Sequence, residues 1–145
     1  MKKENIAILM KVGVLRKRQI DKEKILSMVK SAETNATVAK TVKINEDGAT
    51  LVFREIYESI RQLGDACWWS EGYEPTNHDI SLDALKELDI KEKLKLNFLD
   101  RFKQIRHDVN YRGFRASVTQ ANEILEFWDS CSKDIIKIIM SKLPK

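Results

Sequence analysis

Residues 49–71 read ATLVFREIYESIRQLGDACWWSE, and this stretch decides the fold. Ala49, Phe53, Ile56, Ile60, Leu63 and Cys67 recur at steps of three and four, the spacing that lines one face of an α-helix. A strand would instead alternate every second residue. The stripe predicts a long helix from Ala49 to Glu71 with a wide buried face, stopped by Gly72. Trp68 and Trp69 are adjacent and cannot share one face. One of them must pack against another element or lie in an interface.

The rest of the chain falls into the same pattern. Ahead of this helix, Ile25, Val29, Ala32, Ala36 and Ala39 form a narrow stripe of mostly small residues, predicting a helix from Asp21 as N-cap to about Lys43. The turn Asn45-Glu46-Asp47-Gly48 joins the two. Behind it, the loop Gly72 to His78 leads to a short helix expected over Asp79–Leu88. Asp89 is expected to cap a further helix carrying Leu94, Phe98, Phe102 and Ile105 to the core and ending near Asn110, ahead of Gly113. Ser117-Val118-Thr119-Gln120 fits a capping box that opens a last helix, with Ala121, Ile124, Leu125, Trp128, Ile135 and Ile139 inward. At the start, Ile6–Val12 reads as a short helix stopped by Gly13 and followed by the basic run Arg16-Lys17-Arg18. No strand alternation and no internal repeat stands out.

These elements predict an all-α protein, an antiparallel up-and-down bundle of four to five helices. The 145 residues fit one domain, with 1–20 as a short helix and basic arm and 21–143 as the bundle. Five Gly, two Pro and a charged fraction of 33% argue against disorder and against a many-turned β fold. The formal charge of +4 favours a polyanionic partner without requiring one. The apolar run Ile6–Met10 is too short for a membrane or export segment, so the expected compartment is the cytoplasm, with no membrane partner. Cys67 and Cys131 sit on apolar stripes and are expected as reduced core thiols.

No Gly-rich phosphate loop, metal-ligand spacing or nucleophile elbow is present, so neither a cofactor nor a metal site is expected. Chemistry concentrates instead in Arg106-His107-Asp108-Val109-Asn110-Tyr111-Arg112-Gly113, flanked by Arg101, Lys103 and Arg115. Four helical residues turn through about 400°, so Arg106 and Asn110 share a face, as do His107 and Tyr111, and Asp108 and Arg112.

Three passages together resemble the HEPN domains, a family of nucleotide-binding helical domains: the helix Leu51–Leu63, the Gly72-Tyr73 and Asn77-His78 turn, and the segment Arg106–Gly113. The likeness covers roughly residues 21–143. It implies a homodimer in which the Arg motifs of two subunits face a shared cleft. Some members of the family are metal-independent endoribonucleases with a motif of Arg, four to six residues, then His. Others are binding proteins, or partners of small nucleotidyltransferases in toxin–antitoxin pairs. On that footing Arg106 and His107 are the candidate catalytic residues, and Arg101, Lys103, Arg106, Asn110, Tyr111 and Arg112 the candidate RNA- or nucleotide-binding set. If a nucleotidyltransferase is the partner, Tyr111 is the hydroxyl that would be modified. Counted from Arg106, the place of the motif's His is taken by Tyr111, whose ordinary pKa of about 10 makes it a poor base at neutral pH. A literal match runs from Arg101 to His107, but six helical positions turn through roughly 600° and set those side chains well apart.

Overall fold

The computed structural model describes residues 3–145. Its helices are α1 (Lys3–Lys11), α2 (Lys22–Ala39), α3 (Ala49–Ser70), α4 (Leu99–Tyr111) and α5 (Val118–Ser141). Two 3₁₀ helices, His78–Ala84 and Lys93–Phe98, fill the connection between α3 and α4. The architecture is all-α, with a single small ribbon of β1 (Leu15–Lys17) and β2 (Tyr73–Pro75). No described helix is long and apolar enough to cross a membrane.

α3 is the hub. Its apolar stripe is wide enough to face several neighbours, and it packs against α2, α5, α4, β2 and the first 3₁₀ helix. Ser31 meets Gln62 and Lys24 lies over the Trp69 ring, so α2 runs antiparallel to α3. Thr50 meets Ala116 near one end of α3 and Lys142 reaches Glu71 at the other, so α5 runs parallel to α3 and directly beside it. α4 and the 3₁₀ turn before it return antiparallel to α5: Lys95 meets Ser130 and Arg101 pairs with Glu123, while Phe102 packs edge-on to Phe127 between them. Both tryptophans are buried. Trp68 donates its Nε1–H to the Ile80 carbonyl at 2.8 Å, while Trp69 faces α2.

The ends of the helices follow their local chemistry. Asp21 caps α2 by accepting from the Lys24 amide, and Ser117 and Gln120 form the reciprocal capping box of α5. The turn between α2 and α3 is held from outside, because Arg115 donates to the carbonyls of Glu46 and Asp47.

The structure corrects the sequence reading in four places. α2 ends at Ala39, four residues short of Lys43, because Thr41 turns its hydroxyl back onto the Val38 carbonyl. The helix expected over Asp79–Leu88 is a 3₁₀ helix that ends at Ala84, capped by Asn77. The next helical stretch is again 3₁₀ and begins after Glu92, not Asp89. Its tighter winding changes which residues face inward: Leu96, Leu99 and Phe102 are buried, whereas Leu94 is 82% exposed and Phe98 half-exposed. Finally, the basic arm forms a strand. Arg16 pairs with Glu74, Lys17 with Tyr73 and Leu15 with Pro75, while Thr76 donates its amide to Val14 and its hydroxyl to Gly13. Residues 13–18 therefore clamp the chain just ahead of His78.

Candidate functional site

α3 and the first 3₁₀ helix approach unusually closely at Gly64. A Cβ added there would stand 2.1 Å from the Ser81 carbonyl oxygen, so only glycine lets the segment lie against α3. Next to it, buried Asp65 accepts the Ser81 hydroxyl at 2.5 Å. One turn earlier Arg61 gathers three partners. Its Nε and Nη2 grip both oxygens of Glu58, and its Nη1 reaches Asp65 Oδ2 at 2.6 Å and His78 Nδ1 at 2.6 Å. Polar residues of α3 thus fix the start of the 3₁₀ helix against the helix surface.

α4 closes the other side. Between them lies an open cleft of about 270 Å³, lined by Tyr57, Glu58 and Arg61 of α3, by His78 and Asp79, and by Lys103, Arg106, His107, Asn110 and Tyr111 of α4. Arg106 is partly buried in this wall. Its guanidinium lies 5.9 Å from the Tyr57 ring centroid, and its Nε and Nη1 are buried without a hydrogen-bond partner. Such donors are costly to leave unpaired, and a guanidinium suits the oxygens of a phosphate or carboxylate. Lys103 is turned toward the 3₁₀ segment, donating to the Asp79 carbonyl at 2.6 Å. His107 and Tyr111 pack ring to ring with centroids 5.0 Å apart, and Tyr111 is 77% exposed at the rim.

The electrostatics are close to balanced. Arg61, Lys103 and Arg106 bring three positive charges; Glu58 and Asp79 on the lining, with Asp65 behind them, bring three carboxylates. The hydrogen bonds from Arg61 hold the Glu58 carboxyl below its usual range, so it stays ionised beside the cleft. Burial pushes the Tyr57 hydroxyl up to about 12 even though Arg106 and Arg61 pull the other way, so the phenol stays neutral. Among the described residues no three His, Cys, Asp or Glu side chains gather as a metal would need.

Of the residues singled out in the sequence, Lys103, Arg106, His107, Asn110 and Tyr111 come together in this cleft. Two others point elsewhere. Arg101 is bound to Glu123 on α5, and the Arg112 guanidinium lies 5.1 Å from the Phe114 ring. Nor does Arg112 pair with Asp108, whose carboxylate accepts from Gln104 instead. The cleft also contains Tyr57, Glu58, Arg61, His78 and Asp79, which the sequence reading did not assign to it. The available signal was Asp65, a carboxylate on the otherwise buried face of α3, beside Gly64. No family model, curated protein or solved structure matches this chain.

Proposed function

We propose that the chain is a HEPN-type binding protein that holds single-stranded RNA or a nucleotide by a phosphate group seated on Arg106. What supports this reading is the Arg106 guanidinium, which lines the open cleft and makes no hydrogen bond to the described residues, its Nε and Nη1 being buried without a partner. With no carboxylate or carbonyl already bound to it, this guanidinium is left to donate to the oxygens of a phosphate. Around them His107 and Asn110 offer polar atoms, and the exposed Tyr111 ring offers a face on which a base can stack. In the reading that follows from the HEPN resemblance, the protein is a cytoplasmic homodimer that sets two such clefts facing one another, and it works as one component of a toxin–antitoxin-like pair.

Charge balance limits how much phosphate the cleft engages. Arg61 is saturated by its own carboxylates and Lys103 is drawn to the Asp79 carbonyl, so Arg106 is the main open cation of the cleft. Single-stranded binding then loses affinity with salt at a logarithmic slope of about −0.7 per phosphate, and one or two phosphates give a shallow dependence. The test is fluorescence anisotropy with a labelled single-stranded RNA across a salt series. Arg106→Ala is expected to weaken binding by about tenfold or more, and Arg106→Lys to recover part of it. Equal affinity of Arg106→Ala and the unaltered protein would remove the assignment.

A further inference from the structure

His78 lines the same cleft as Arg106, and its ring is held by an unusual partner. Arg61 Nη1 lies 2.6 Å from His78 Nδ1. A guanidinium has no lone pair to offer, so Arg61 must donate and Nδ1 must accept. Nδ1 is therefore unprotonated, and the neutral ring carries its proton on Nε2. Asp65 Oδ2 is 3.8 Å from Nδ1 and already receives Arg61, while the Oδ1 of the same carboxylate takes the Ser81 hydroxyl. It supports the guanidinium more than the imidazole. The opposite edge is free of the protein: the His78 side chain is 71% exposed and lines the cleft.

The position of the ring is fixed from both directions along the chain. Ahead of it, Asn77 caps the 3₁₀ helix and Thr76 is tied to residues 13 and 14. Behind it, Ser81 is bound to Asp65 against Gly64. Its donor is thus pre-organised without contacting anything in the protein that would consume it.

We propose that His78 is a second ligand-binding residue of the cleft, a neutral imidazole whose Nε2–H donates to the same phosphate group that Arg106 holds. Arg61 and Asp65 act through it as positioning residues, setting the tautomer. This rests on the reading of Arg106 as the phosphate site, and it turns a single-point contact into a two-jawed clamp, with α4 on one side and the 3₁₀ helix on the other. It also gives the buried Arg61 cluster a role beyond fastening the segment.

The experiment compares two substitutions that divide the imidazole's functions. His78→Gln keeps a side-chain N–H near the place of Nε2, whereas His78→Asn keeps an acceptor near Nδ1 and loses the reach. With the same RNA probe, His78→Asn should bind about tenfold more weakly and His78→Gln should stay within about threefold of the unaltered protein. Unchanged melting temperatures separate a lost contact from a damaged fold. Nitrogen-15 NMR of the ligand-free protein should show the His78 ring protonated at Nε2 alone. Unaltered affinity of His78→Asn while Arg106→Ala loses binding, or a proton found on Nδ1, would overturn the inference and leave the Arg106 site standing. No effect from Arg106→Ala would sink both.

Discussion

Glu58 and Asp65 share the guanidinium of Arg61 yet are shifted in opposite senses. Hydrogen bonds from Arg61 hold Glu58 below its ordinary range, so its contribution to stability is present above about pH 4.5 and fades as pH falls through the folded value. Asp65 is more deeply buried, and desolvation raises it although Ser81 and Arg61 oppose the rise. Its contribution runs the other way, largest at low pH and lost as pH climbs past the raised value. The two partly cancel in acid. At alkaline pH the groups agree: burial pushes Tyr57 and Cys67 up to about 12 and Cys131 to about 11. Each favours the fold while protonated, so stability is full below about pH 9 and declines between there and pH 12. Thiolate is the reactive species, so a disulfide reagent at pH 8 should label neither cysteine in the native protein and both in denaturant, read by absorbance. Fast labelling of the folded chain would contradict the burial of both. At this scale the sequence disclosed what was contiguous: Lys103, Arg106, His107, Asn110 and Tyr111 occupy one helix. Arg61 and His78 are 17 positions apart and meet only because the chain folds back, which spacing alone does not reveal.

Elements with strong helical periodicity were legible, and those with weak periodicity were not. α3 and α5 carry long apolar stripes: α3 spans Ala49–Ser70 where Ala49 to Glu71 is expected, and α5 opens behind the expected Ser117 cap. Between them, residues 78–98 wind mostly as 3₁₀ helix, where side chains repeat every three residues instead of 3.6. A register counted on the α-helical period slips there, and for that reason Leu94 and Phe98 were expected inside. The strand pair escaped notice because three residues with one buried side chain leave no alternation to detect. How tightly the 3₁₀ segment docks depends on Gly64. Gly64→Ala should force the Ser81 carbonyl away from α3 and destabilise the protein by about 2 kcal/mol, measured as a lowered urea midpoint. An unchanged midpoint would mean that the close approach is relaxed in solution.

Taken whole, the molecule is built around one helix that also floors its cleft. Directions alternate along the chain from α2 to α5, as short connections suggested, but parallel α3 and α5 lie side by side and α4 is left to the flank. That arrangement leaves room for the cleft, whose α3 wall is continuous with the core through Tyr57. Native-state hydrogen exchange should show α3 as the slowest region and α1, which buries no residue, as the fastest. Protection in α1 equal to that in α3 would contradict this order.

The clamp of residues 13–18 along 72–76 reaches further than its size suggests. Only Asn77 separates its last bonded residue, Thr76, from the imidazole at the cleft's edge. A substitution that breaks this pairing, although it touches no residue of the cleft, therefore loosens the shoulder of that jaw.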